Sequence, residues 1–300
     1  MDASQAEINR SGITFHQSSG SHQFNSMKKI LFVSAIVLGS FTATFSAFAQ
    51  DHGHFYVGAA GTNQNDQLII TNATDFATNT GYVKTLTFTN AGRYAGYFQG
   101  NITFEALSAF NFLGDPISGS AALGSWIHAQ IVSVEGPANG VFSFWEAGAT
   151  VPTINIPCGT TSTNTWHISN NNGAPETDPF GHIHNRRFTA TTPGVYVVSF
   201  KALDRSSNGV GGGPIHTDSE ILKVYFQAGI NLASFSRTGN FTTATFGGMA
   251  NNTFHLEANS DLSTTNWTSV DSIAGSDYFL TLSETNTASQ RFYRLRVTSP

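Results

Sequence analysis

Apolar and polar side chains alternate along most of this chain in short runs, and turn-forming residues separate the runs. A two-residue period is the pattern of a strand with one buried face. We predict strands at QLIIT (67–71), VKTLTFT (83–89), NITFEAL (101–107), WIHAQIVSV (126–134), GVFSFWE (140–146), GVYVVSFKAL (194–203) and ILKVYFQAG (221–229).

The last two runs also predict which side chains are buried, because successive side chains of a strand point to opposite faces. The inward face of the run at 194–203 consists of Tyr196, Val198, Phe200 and Ala202. The inward face of the run at 221–229 consists of Leu222, Val224, Phe226 and Ala228. Lys223 and Gln227 are expected to point outward. Two such faces packed together form a sandwich, so we predict an all-β fold with an antiparallel β-sandwich over residues 50–229.

A second set of short strands follows Gly229. It comprises NTFHLEANSDLSTTNWTSVDSIAG, DYFLTL and QRFYRLRV. These runs predict a smaller sandwich-like β-domain over residues 230–300, with the boundary near residue 230.

Composition agrees with an all-β protein and excludes one class of partner. The chain has 25 Phe and 29 Gly among 300 residues, with 40% hydrophobic and 11% charged side chains. Its formal net charge is -5, and no basic run follows the N-terminal region, so nothing would neutralise a phosphate backbone. We therefore expect no nucleic-acid partner.

The N-terminal region has the pattern of an export signal. Residues 27–49 begin with Lys28 and Lys29, continue with an apolar stretch and end at Ala47-Phe48-Ala49, a small-x-small sequence of the kind that signal peptidase cleaves. A membrane anchor is the alternative for this stretch. Residues 1–26 are polar and precede Met27, and we interpret them as a start-site artefact. We expect cleavage near Ala49, no membrane span in the mature chain, and secretion to the periplasm or cell surface.

Histidine spacing provides the chemical signal. Two pairs have one residue between them, His52 with His54 and His182 with His184. On a strand, residues i and i+2 share a face, so two imidazoles can bind one ion. His216 lies in the glycine-rich NGVGGGPIHTD segment, typical of a functional loop. The sequence predicts a metal site formed by His54, His182, His184, His216 and His52, with zinc as the metal and copper or nickel as alternatives.

Other interpretations of the histidines stay open at this level. Polar histidines at strand edges bind no metal in many β-proteins. If Gln50 became the N-terminus, Gln50-Asp51-His52 would form a square-planar copper or nickel site. His128 lies inside a predicted strand and is expected to be a structural histidine.

The stretch GHIHNRRFTATTPGVYVVSFKALD (181–204), followed by EILKVYFQAG (220–229), resembles a bacterial surface-anchored repeat domain of the choice-of-anchor M type. The resemblance covers roughly residues 52–229. It implies a secreted or wall-attached receptor or scavenger of a metal, zinc first, and it transfers to His54, His182 and His184. The implied partner is the binding protein of a metal ABC transporter or another envelope component. The C-terminal stretch is similar to a small β-module that ends many secreted proteins of Verrucomicrobia, which implies attachment or sorting.

Three functions follow from these features. The first is a secreted zinc-binding protein without enzymatic activity, whose affinity fades below about pH 6 as imidazoles protonate. The second is a structural or adhesive surface protein that binds glycan or envelope components and has incidental histidines. The third is a metalloenzyme with Asp204, Asp218 or Glu220 as its base, but the sequence has no His-Glu-x-x-His or Gly-x-Ser-x-Gly motif, and we expect no enzyme.

Overall fold

The computed structural model describes residues 53–288 and 290–299. The predicted artefact (1–26), the predicted signal peptide (27–49) and His52 lie outside the described residues. No helix in the described ranges has the length and apolar character needed to span a bilayer.

Residues 53–228 form strands in two sheets, and the all-β prediction is confirmed. The strands are β1 (Gly53–Ala59), β2 (Leu68–Ile70), β3 (Val83–Thr89), β4 (Tyr97–Gly100), β5 (Ile102–Ala106), β6 (Ile127–Glu135), β7 (Val141–Trp145), β8 (Ile154–Pro157), β9 (Thr160–Thr161), β10 (Thr165–His167), β11 (Gly181–His182), β12 (Arg187–Ala190), β13 (Gly194–Asp204) and β14 (Leu222–Ala228). Helical structure in the described chain consists of α1 (Ala73–Phe76) and two 3-10 turns, Thr78–Thr80 and Val210–Gly212.

The smaller sheet has four strands in the order β11-β5-β1-β2. The larger sheet has ten strands in the order β10-β6-β13-β14-β3-β4-β12-β7-β8, with β9 paired to β6. Most pairings are antiparallel, whereas β1 with β5 and β14 with β3 are parallel. Two parallel strands must be joined by a crossover connection, which the alternation of side chains within a single strand does not predict.

Burial follows the alternation that the sequence predicts. The predicted inward faces of β13 and β14 are buried throughout, and Lys223 is exposed. Ring contacts across these strands form an aromatic interior, in which Phe200 lies 5.3 Å from Phe104 and 6.1 Å from Phe226 between ring centroids. Because aromatic rings supply large apolar areas, this interior is the main source of hydrophobic stabilisation in this part of the chain.

Gln227, which was predicted to point outward, is not exposed to solvent. Its exposure is 0%, and its Nε2 donates to Thr85 Oγ1 at 2.8 Å. The outer face of β14 is covered here by the C-terminal part of the chain, since a Cβ atom added to Gly247 would overlap with the Gln227 amide. Contacts with a distant segment, which strand periodicity does not encode, turned an outward position into a buried one.

Residues 232–298 form two three-stranded sheets, in the orders β15-β16-β19 and β18-β17-β20. Their strands are β15 (Leu232–Thr238), β16 (Phe241–Gly247), β17 (Thr253–Asn259), β18 (Thr268–Ala274), β19 (Phe279–Thr285) and β20 (Phe292–Thr298). A separate hydrophobic cluster lies between them, made by Ala244, Phe246, Phe254, Leu256, Leu280 and Leu282. That this part is a domain of its own, with a boundary near residue 230, stays a prediction.

Candidate metal centre

Three neighbouring strands of the four-stranded sheet bring two histidines and a carboxylate together. Strand β5 lies between β1 and β11; along its parallel ladder with β1, His54 is opposite Thr103, two residues before Glu105. On the other side, His182 of β11 is directly opposite Glu105. Since residues two apart on a strand share a face, the register places the three side chains on the same face of the sheet.

Distances within this group are those of a compact ligand set. Glu105 Oε2 lies 3.3 Å from His54 Nδ1 and 3.3 Å from His182 Nδ1. All three donor atoms lie within 4.8 Å of one another. In a tetrahedral zinc site, metal–ligand bonds of about 2.0–2.1 Å put neighbouring ligand atoms about 3.3 Å apart, so both measured distances fit the edges of such a tetrahedron.

His184 lies next to the group without being part of its closest contacts. Its ring centroid is 4.4 Å from that of His182, with the rings inclined by 30°, and the residue is exposed. A tetrahedral ion held by two imidazoles and one carboxylate needs one more ligand, which a water molecule or a side chain of this type supplies.

The strands that hold these residues are fixed by local contacts. Asn72 bridges to β1 by donating from Nδ2 to His54 O at 2.8 Å and accepting at Oδ1 from Tyr56 N at 3.1 Å. At β11, a Cβ atom on Gly181 would overlap with Ile168 O. Only glycine allows the backbone of β11 to approach this closely, so residue 181 sets the position of the neighbouring histidine.

The chemistry of the group is compatible with a bound cation. Burial lowers the pKa of His182 below its ordinary value of 6.5, with smaller lowering effects of His184 and His54, and the Glu105 carboxylate opposes this shift. A neutral imidazole at neutral pH has a lone pair to donate to a metal. The side chains of His54, Glu105 and His182 are 16%, 20% and 23% exposed, so the donor atoms are partly shielded from water and still accessible.

The same distances also fit a cluster without metal. In that interpretation His54 Nδ1 donates a hydrogen bond to Glu105 Oε2, at a length near the upper limit of a hydrogen bond, and His182 Nδ1 lies 3.3 Å from the same oxygen. His182 Nε2 is then a buried nitrogen without a hydrogen-bond partner among the described residues. Metal binding and hydrogen bonding differ in what they require of Glu105, and this difference can be tested.

Arg186 comes two residues after His184 in the sequence, and the Glu146 carboxylate neutralises its charge. The guanidinium donates from Nε and Nη2 to the Glu146 carboxylate at 2.6 and 2.9 Å, and from Nη1 to His167 O at 2.8 Å. Arg186 also holds the pKa of Glu146 below its ordinary value, against the effect of burial. Because Glu146 neutralises the Arg186 guanidinium, Arg186 would repel a metal ion at the histidines less than its position in the sequence suggests.

The structure does not bring His216 into this group. The residue is buried, its Nδ1 donates to Asp66 O at 2.9 Å, and its Nε2 accepts from Ala122 N at 2.9 Å. Both ring nitrogens therefore have backbone partners, which leaves no lone pair for a metal. The physical reason is the Gly-rich loop before it, which folds onto the body of the protein instead of reaching toward β11.

The carboxylates considered as catalytic bases lie elsewhere. Asp204 accepts four backbone N–H bonds, described below, and Asp218 pairs with Lys201 at 2.7 Å. Glu220 accepts a hydrogen bond from Gln67 at 3.2 Å. None of them belongs to the three-residue metal-ligand group found in the described ranges.

The sequence patterns do not identify Glu105 as a ligand, although the residue lies in a predicted strand. It is the only charged side chain in NITFEAL, and the alternation there places it with Thr103 on the polar face. This pattern predicts that the Glu105 carboxylate points outward, but it does not predict which residues the carboxylate contacts. Its partners become apparent only from the parallel pairing of β1 with β5.

Comparisons with known proteins add no identity. No protein-family model matches the chain, and no curated protein matches it either. The resemblances to the choice-of-anchor M repeat and to the Verrucomicrobia module stay predictions.

Proposed function

We propose that this chain is an exported protein that binds a divalent transition metal, zinc first, through His54, Glu105 and His182, with His184 beside them. The observation that supports the proposal is the convergence of three donors from three separate strands, with both imidazole nitrogens 3.3 Å from Glu105 Oε2, a distance that fits tetrahedral coordination. Export rests on the signal-peptide pattern at 27–49, which lies outside the described residues.

The role we propose is capture of the metal by a receptor or scavenger of the cell envelope, not catalysis. Two imidazoles and one carboxylate also form catalytic zinc sites, which need a nearby general base in addition. The acidic residues named for that task hold other partners, Asp204 with backbone N–H groups and Asp218 with Lys201. A partner that accepts the metal, such as the binding protein of a metal ABC transporter, is part of the same proposal.

The decisive experiment measures zinc affinity of the untagged chain by competition with a chromophoric chelator, together with elemental analysis of the purified protein. We expect one zinc per chain. Glu105→Gln, which keeps the shape of the side chain and removes its charge, should weaken zinc binding by more than the roughly 10- to 100-fold cost of losing an outer-sphere partner. The paired variant His182→Ala/His184→Ala should abolish it.

His255→Ala is the matched control, because His255 lies in the C-terminal part and its Nε2 contacts Thr298 Oγ1 at 3.2 Å. Its zinc affinity should equal that of the unmodified chain. Unchanged affinity in both Glu105→Gln and the paired histidine variant would refute the metal site and leave the hydrogen-bonded cluster as the interpretation.

A further inference from the structure

A cavity of about 510 Å³ lies at the edge of the four-stranded sheet, and none of the proposed metal ligands lines it. It is formed between β2, the terminal strand of that sheet, and the residues that lead into β14 of the larger sheet. Helix α1 and the 3-10 turn at Thr78–Thr80 contribute further lining residues. The volume falls within the roughly 300–1,000 Å³ of small-molecule pockets, so the cavity admits one small organic molecule.

The lining of this cavity is mainly apolar and reaches the hydrophobic core. Leu68, Ile70 and Leu222 line it, are buried, and belong to the core cluster of this part of the chain. Ile221 also lines it and is 50% exposed, so a large apolar side chain faces water at the entrance. A ligand that covers these side chains removes apolar surface from water, and the gain is proportional to the area covered.

Glu220 gives the cavity a negative charge. The residue is exposed, and its Oε1 accepts a hydrogen bond from Gln67 Nε2 at 3.2 Å, whereas its carboxylate forms no salt bridge with another described residue. None of the described residues that line the cavity is cationic. Lys201 is already neutralised, because its Nζ lies 2.7 Å from Asp218 Oδ2. A carboxylate without a paired cation attracts a positively charged group and repels an anion.

We propose that this cavity binds a small molecule that has an ammonium head and an aliphatic chain. The head contacts the Glu220 carboxylate, where a charge-assisted hydrogen bond forms, and the chain covers Ile221 and the buried side chains beneath it. Charge complementarity selects this class of ligand over fatty acids, since an anionic head would meet the Glu220 carboxylate. A neutral alcohol with the same chain would gain the apolar contact and lose the ionic one.

The test is calorimetric titration of the untagged full chain at pH 7 with hexylammonium, hexanol and hexanoate. Alkylamines are protonated at this pH, as lysine is. We expect hexylammonium to bind most tightly, hexanol more weakly and hexanoate most weakly. Shortening the ligand to butylammonium should lower the affinity by up to about fourfold for each methylene that the cavity no longer buries.

Two variants separate the ionic contact from the apolar one. Glu220→Gln should lower the affinity for hexylammonium about two- to fivefold, the range of an exposed ion pair, and leave that for hexanol unchanged. Ile221→Ser should weaken hexylammonium and hexanol alike, because both lose the same apolar contact. Glu135→Gln is the matched control, since Glu135 is exposed, pairs with Lys223 at 3.6 Å and does not line the cavity.

The control variant should bind all three ligands as the unmodified chain does. Both cavity substitutions are at exposed positions, so an unchanged melting temperature should show that the fold is intact. Hexanoate binding as tight as that of hexylammonium, a Glu220→Gln variant that keeps the preference for hexylammonium over hexanol, or the absence of binding by all three ligands would overturn the proposal.

Discussion

Asp204 provides the sharpest test, because its carboxylate is buried and yet forms no salt bridge with another described residue. The residue is 4% exposed. Its Oδ1 accepts from Trp126 N at 3.0 Å and Ser206 N at 2.9 Å, and its Oδ2 accepts from Ile215 N at 3.0 Å and His216 N at 3.2 Å. One side chain thereby ties the end of β13 to β6 and to the far end of the glycine-rich loop.

Asp204→Asn replaces one oxygen by an amide NH₂ and keeps the shape of the side chain. Two of the four backbone N–H groups then face a donor and lose their acceptor. A buried polar group without a partner costs about 1–3 kcal/mol, so the two together cost about 2–6 kcal/mol. Whole domains are stable by about 5–15 kcal/mol, so this single change removes a large share of the stability.

Urea unfolding followed by tryptophan fluorescence measures the difference, with Asp218→Asn as control. The Asp218 side chain is 42% exposed and pairs with Lys201 at the surface, an interaction worth about 0–1 kcal/mol. A difference below about 1 kcal/mol between Asp204→Asn and the unmodified chain would refute the role of Asp204 as a backbone tether. It would return this residue to the group of candidate catalytic carboxylates.

Two further predictions follow from buried positions. Burial, followed by the effect of His167 across the strand pair, lowers the pKa of His128 from 6.5 to about 4. An NMR titration of His128 should have its midpoint near this lowered pKa. The free energy of unfolding should decrease as the pH falls below 6.5, because the unfolded chain binds a proton that the folded chain excludes. A titration midpoint near 6.5 would contradict the prediction. Gly181→Ala should destabilise the protein by roughly 1–3 kcal/mol and weaken zinc binding, because the added methyl overlaps with backbone atoms. At Gly213 an added Cβ would lie 4.0 Å from Val210 O, an ordinary contact, so Gly213→Ala should change neither property. Equal effects of the two variants in urea unfolding would exclude the packing explanation.

The candidate site was partly predictable. His54, His182 and His184 carry the His-x-His spacing, and the structure brings all three to one end of the four-stranded sheet. Glu105 was not predictable, because a lone outward carboxylate in a strand has no partner until the strand order is known. His216 was assigned to the site for its loop, and the fold instead gives both of its ring nitrogens backbone partners.

The sequence by itself determined seven of the fourteen strands of residues 53–228, and the inward faces of β13 and β14. Alternation has a period of two and depends only on neighbouring residues, so β13 and β14 begin and end within a residue of their predicted runs, and their apolar faces are buried. The tertiary structure alone decided strand order, register and the burial of outward positions such as Gln227. These depend on contacts between residues far apart in the chain, and the group of His54, Glu105 and His182, which combines β1, β5 and β11, is of this second kind.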